Sequence, residues 1–150
     1  MYHAIVARIA RRNFELVNDH DYEPLLAACT DDIHHRFGGD HALGGERHDK
    51  HHLREWFHRL GRLTPDLQLT VTEVWVKGLP HNTTVVMRWT ATMDLPDDRP
   101  YANHGVHVVT MRWGKVTAID ANEDSQVVAE YLTWLAGRGV DEAAAPAITS

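Results

Sequence analysis

An α+β fold, in which a curved antiparallel sheet wraps around helices and leaves a cone-shaped pocket, is the architecture this sequence predicts. Three observations carry it. Helical periodicity dominates the first part of the chain, while the later part alternates apolar and polar residues between short turns. The alternating runs are about 11 residues long, against about five or six for an ordinary strand. Strands of that length must curl, and a curled sheet closed by helices encloses a conical hollow.

The elements follow in order. Residues 3 to 18 set Ile5, Val6, Ile9, Ala10, Asn13, Phe14 and Val17 near one stripe and predict the first helix. Asp19-His20-Asp21 ends it and offers a cap to a short second helix, Tyr22 to Cys29. Thr30-Asp31-Asp32 stops that one, and Ile33 to Phe37 reads as a strand. Gly38 to His48, with glycines at 38, 39, 44 and 45, is too glycine-rich to be regular. Asp49 then serves as N-cap for a third helix, His52 to Leu63, with Leu53, Trp56, Phe57 and Leu60 on one face and Pro65 beyond its end. Residues 67 to 77 alternate as a strand with one wet face. After the turn at Gly78-Leu79-Pro80-His81-Asn82, residues 83 to 95 place Val85, Met87, Trp89, Ala91 and Met93 in register. Tyr101 to Asp124 is a long hairpin about the tight turn Arg112-Trp113-Gly114-Lys115, and Asp124-Ser125-Gln126 caps a closing helix, Val127 to Leu135. Gly137 to Ser150 shows no packing pattern and reads as a frayed, flexible tail, which makes residues 1–136 a single domain.

Composition narrows the function classes. The chain has 150 residues, 43% hydrophobic and 24% charged, enough for one domain with a core of its own. A net charge of −6 argues against nucleic acid or an anionic membrane as partner, since both demand a basic surface. One cysteine, Cys29, excludes an intrachain disulfide and fits a reducing, cytoplasmic setting; it has no basic neighbour to activate it as a nucleophile. No run is long and apolar enough to span a membrane. The twelve histidines are the unusual feature.

The hairpin holds the main site candidates. Period-2 alternation puts Asn103, Gly105, His107, Val109 and Met111 on one face, and Val116, Ala118, Asp120 and Asn122 on one face of the next strand. If the two faces coincide, His107 and Asp120 form an acid/base pair in an apolar concavity, with Asn103 and Asn122 orienting the oxygens of a ligand. The competing account is a structural hydrogen bond between two buried polar groups. His35 shares the apolar face of its strand with Ile33 and Phe37, which makes it a ligand-binding candidate. Asp40, beside His41 in the glycine-bracketed loop, is a candidate for the pocket rim, or a cap on turn amides. Trp56, Met87 and Trp89 are candidate walls for a polycyclic ligand, and Trp75, on an alternating strand, is placed to meet a second subunit. Asp124 is read as an N-cap. The segment His48-Asp49-Lys50-His51-His52 has histidines four apart, but lacks the zinc-protease pattern and carries Lys50; it reads as a solvated helix start, and neither metal nor cofactor is expected.

The order of elements, together with Thr30-Asp31-Asp32-Ile33, the loop Gly39 to Gly45, Leu53-Arg54-Glu55-Trp56-Phe57, and Gly114-Lys115-Val116 running into Asp124-Ser125-Gln126, resembles the nuclear transport factor 2-like (cystatin-like) superfamily, and in particular its SnoaL-like branch. The resemblance spans roughly residues 3 to 136. It implies a polyketide cyclase- or ketosteroid isomerase-like protein binding a polyketide-, terpenoid- or steroid-like molecule, and a homodimer formed through the sheet. SnoaL-like cyclases use a histidine on the penultimate strand and an aspartate on or just after the last one; His107 and Asp120 match best, with Asp124 as rival. Phe14 stands where a ketosteroid isomerase has its tyrosine, and His35-Arg36-Phe37 where it has its aspartate. The Arg and two Asp of limonene-type epoxide hydrolases are not reproduced. The expected activity is cofactor-independent cyclisation, isomerisation or dehydration; the alternative is a non-catalytic binding or dimerisation module.

Overall fold

The N-terminal stripe becomes helix α1 (Tyr2–Asn18), which buries Val6, Ala10, Phe14 and Leu16. In this computed structural model, which describes residues 1–150 apart from the side chain of Asp98, nine further helices and strands follow, with two 3₁₀ turns interspersed: α2 (Glu23–Ala27), β1 (Cys29–Phe37), β2 (Gly45–Arg47), α3 (Lys50–Leu63), β3 (Gln68–Leu79), β4 (Asn82–Asp94), the turn Pro96–Asp98, β5 (Pro100–Arg112), β6 (Lys115–Glu123), α4 (Ser125–Gly137) and the turn Asp141–Ala144. Asp49 caps α3 by accepting from the His52 backbone N–H at 2.8 Å, and Asp124 caps α4 by accepting from Gln126 and Val127.

The six strands form one open, curved sheet in the order β2-β1-β6-β5-β4-β3. Every neighbouring pair is antiparallel except β1 and β6, which run parallel. The parallel pair was not predicted: nothing in a strand's own alternation names its neighbour, and β1 reaches β6 only because the intervening meander curls back. Along β4 burial alternates strictly, with Val85, Met87, Trp89, Ala91 and Met93 facing the helices. The β5–β6 hairpin turns at Trp113 (φ 51°) and Gly114 (φ 79°); the second position is one that glycine adopts without a steric penalty.

Three expectations need correction. Strand β1 begins at Cys29, not Ile33, so α2 is shorter than predicted. Within the supposedly irregular loop, Gly45-Glu46-Arg47 adds a sixth strand to the sheet edge, pairing His35 with Arg47. The C-terminal segment is docked, not frayed. Ala143 is buried, the Arg47 Nη1 donates to the Ile148 carbonyl at 2.8 Å, the Arg59 Nη1 to Pro146 at 2.8 Å, and the Ser150 N–H to the Glu46 carbonyl at 3.2 Å. Main-chain carbonyls meeting arginines hold this tail, an attachment that leaves no hydrophobic period to detect.

Candidate functional site

Helices α1 and α3 close over the concave face of the sheet and leave a hollow of about 260 Å³. Its wall is apolar side chains with a few polar groups, and no charged side chain among the described residues lines it. Of the residues singled out in the sequence, His35, Trp56, Met87, Trp89, Asn103 and His107 lie on this wall. Asp40, Asp120 and Asn122 do not.

The acid of the expected pair is on the wrong side of the sheet. Across β5 and β6, His107 faces Ala121 while Asp120 faces Val108, so the two side chains project from opposite surfaces. The cause is a bulge: Thr110 pairs with Ala118 and Met111 with Val116, which leaves Thr117 as an extra residue. Val116 therefore faces inward, but beyond the bulge the inward positions are Ile119 and Ala121, not Ala118 and Asp120. On the convex face Asp120 accepts from the Arg36 Nη1 at 3.0 Å, and Asn122 lies 3.3 Å from the same nitrogen. The period-2 reading was right on each side of the bulge and failed across it.

His107 sits on β5 with Phe14 edge-on at 5.1 Å. Its Nδ1 accepts from the Trp89 indole N–H at 2.7 Å. An indole only donates, so Nδ1 carries no proton and the neutral ring holds its proton on Nε2. Burial pushes its pKa down to about 4, against a smaller opposing pull from the Asp120 charge. His35, on β1, repeats the arrangement: its Nδ1 accepts from the Arg47 Nε–H at 3.0 Å, and its ring lies 4.4 Å from that of Trp56. Burial holds His35 well below the ordinary histidine range, with the Arg47 charge and then His107 acting in the same direction. Neither Nε2 has a hydrogen-bond partner among the described residues, and both rings line the hollow. Two neutral imidazoles thus present donors to one cavity.

Arg47 is the residue sequence reasoning missed. It is 0% exposed and has no carboxylate partner among the described residues. Its guanidinium instead donates to the carbonyls of Gly44 (3.1 Å), Gly45 (2.6 Å) and Ile148 (2.8 Å) and stands 5.4 Å from the Trp56 ring centre. Burial lowers its pKa only to about 10, so it stays charged and keeps His35 in the Nε2–H tautomer. The one hint in the sequence is a lone arginine two residues beyond paired glycines, whose carbonyls a long side chain reaches easily.

Asn103 reaches the wall but its amide serves the frame. It accepts from the backbone N–H groups of His104 (2.7 Å) and Asp124 (3.2 Å) and donates to the Asp124 carbonyl (3.2 Å) and to the Tyr101 hydroxyl (3.3 Å). Glu123, not Asp120, is the acid on the inner parity, opposite Gly105. Burial raises its pKa to about 7; its Oε2 accepts from the Gly38 N–H at 3.4 Å, while its buried Oε1 has no partner among the described residues. It stands behind the wall and does not line the hollow.

A family profile described as "SnoaL-like domain" matches residues 10–119, and the chain belongs to that family. No curated protein sequence matches the chain. Among solved structures, it is similar to PrhC from Penicillium brasilianum (13% identity, 95% of each chain, TM-score 0.78) and to TerC co-crystallised with polyporic acid (21% identity, 84% of this chain and 95% of the other, TM-score 0.69). It is also similar to a putative polyketide cyclase from Xanthomonas campestris (14% identity, 77% and 87%, TM-score 0.54). Likenesses at these identities bear on the fold alone.

Proposed function

We propose that this protein binds a small, uncharged, largely apolar molecule in the conical hollow and that the Nε2–H groups of His35 and His107 hold an oxygen of that molecule. The observation that carries this reading is the pair of tautomer-fixed histidines on a largely apolar wall without charged side chains among the described residues. A ligand charge would lie there without a counter-ion, which selects neutral molecules of polyketide, terpenoid or steroid type. The co-crystallisation of the structural relative TerC with polyporic acid supports small-molecule binding by this fold.

Donors fixed in advance on a carbonyl stabilise negative charge as it develops on oxygen, the electrophilic part of a cyclisation, isomerisation or dehydration. In this state the two histidines are acids or electrophiles, not bases, because each Nδ1 lone pair is already engaged. The wall supplies no carboxylate among the described residues, and that observation favours the second reading, a binding module without turnover. Trp56 and Trp89 report occupancy directly. Carbonyl-bearing polyketide, terpenoid and steroid compounds are expected to quench tryptophan emission saturably, and His107→Phe to weaken the best of them by about tenfold or more, the value of one hydrogen bond from a buried donor. Binding that is indifferent to both His107→Phe and His35→Phe would remove the donor pair from the account. Turnover of a bound compound, lost in the same variants, separates enzyme from binder.

We also infer a homodimer formed through the convex face of the sheet. Trp75 on β3 is 46% exposed, with the Arg88 guanidinium 5.6 Å from its ring centre, and aromatic and arginine side chains are enriched at interfaces. Sedimentation of the native chain as a dimer and of Trp75→Ser as a monomer is the expected result.

A further inference from the structure

The outer face of the β1–β2 pair carries a second cluster that the hollow does not use. The pairing of His35 with Arg47 and of Arg36 with Glu46 places His34 opposite His48 on the convex surface, with Glu46 diagonal to it. The Nε2 atoms of His34 and His48 lie 3.4 Å and 3.7 Å from the same oxygen, Oε2 of Glu46. All three atoms fall within 4.8 Å of one another. Two donors bound to a tetrahedral zinc ion at about 2.0–2.1 Å each stand roughly 3.3 Å apart. The carboxylate oxygen is therefore close to ligand spacing from both imidazoles before any ion arrives. The two rings stack at 4.4 Å and 12°, so a modest splay of two exposed side chains turns both lone pairs toward one point.

The surroundings support the ligands without competing for their place. The other Glu46 oxygen, Oε1, faces the Arg36 Nε at 3.9 Å, and the charge of Arg36 is offset by Asp120 at 3.0 Å. The backbone N–H of His48 donates to the Ser150 hydroxyl at 2.8 Å, which steadies the residue following β2.

We propose that His34, Glu46 and His48 form a binding site for one zinc-type divalent ion, with the fourth position open to water. Two imidazoles and one carboxylate suit a borderline metal; magnesium and calcium want six or more oxygen ligands, which this surface does not offer. The set differs from the histidines four apart in residues 48–52, since it is assembled by strand register and includes only His48 of that run. Its place in the sheet gives it a consequence. An ion on the outer face clips β1 to β2 through the neighbours of His35 and Arg47, the inner-face pair that sets the tautomer of one cavity donor.

Calorimetric titration of the full-length, tag-free chain with zinc sulfate in a non-coordinating buffer tests this. One saturable ion per chain is expected, with no comparable heat from magnesium chloride. His34→Ala, His48→Ala and Glu46→Gln are each expected to weaken zinc by more than about tenfold, whereas His51→Ala and His81→Ala, which change other exposed histidines, leave it unchanged. Circular dichroism of each variant checks the fold, and all three side chains are exposed, so their replacement leaves the core packing intact. Absence of a saturable one-to-one event overturns the proposal. So does zinc binding that survives His34→Ala and His48→Ala, or that falls equally with His51→Ala.

Discussion

His107 shows how a single contact sets chemistry. Its Nδ1 is engaged by Trp89 and its ring is buried, so the proton stays on Nε2 and the ring stays neutral. The folded pKa of about 4 lies below the unfolded value of about 6.5. The unfolded chain therefore binds more protons than the native one between those values, and stability is full above about pH 6.5 and lost as pH falls toward 4. The loss amounts to about 3 kcal/mol for this group. Urea unfolding of the native protein between pH 7 and 4 is expected to show that slope, and His107→Phe to flatten it. Glu123 has the opposite sign. Its pKa is raised to about 7, so its ionised form opposes folding as pH climbs from about 4.5 through 7. Glu123→Gln is expected to stabilise the protein more at pH 8 than at pH 5. Equal gains at the two values would show that the carboxyl is not held protonated by burial.

At the scale of elements, the β5–β6 hairpin decides which side chains see the hollow. One extra residue at Thr117 moves Asp120 to the convex face, where it pairs with Arg36. The same hairpin has no room for a side chain at Gly105. A Cβ there would stand 2.5 Å from the Trp89 ring and 2.5 Å from the Asn122 carbonyl. Gly105→Ala is thus expected to cost about 1–3 kcal/mol in chemical denaturation, the usual range for overpacking. Because the clash falls on Trp89, it should also disturb the donor to His107, read as a shift of the His107 ring nitrogens in nuclear magnetic resonance. A variant with native stability and unshifted nitrogens would mean that Trp89 is not seated on this glycine.

Across the whole molecule, the C-terminal segment and the cavity are joined through one buried charge. Arg47 donates inward to His35 and outward to Ile148, while Arg59 reaches Pro146 and Arg62 pairs with Glu142 at 2.7 Å. Deleting residues 141–150 removes the Ile148 acceptor from a guanidinium with no carboxylate beside it. Losing one of the four hydrogen bonds of this buried charge costs about 1.5–3 kcal/mol. The truncated chain is expected to melt markedly lower and to be digested faster by protease. An unchanged melting temperature would show that water replaces the carbonyl at Arg47 without loss.

What the sequence by itself determined was local: the helical stripes of α1 and α3, the caps at Asp49 and Asp124, the long alternating strands, and so the α+β cone with His35, Trp56, Met87, Trp89 and His107 on its wall. Those features repeat at periods of 3.6 or 2, or depend on neighbours a few residues away, and such signals survive in a linear string. Tertiary structure alone decided the rest. The bulge at Thr117 shifted the parity of β6, the parallel pairing brought β1 beside it, and a glycine-flanked arginine found carbonyl partners a hundred residues away at Ile148. Each of these depends on what one segment meets in another, and a hydrogen bond between distant backbone groups leaves no period behind.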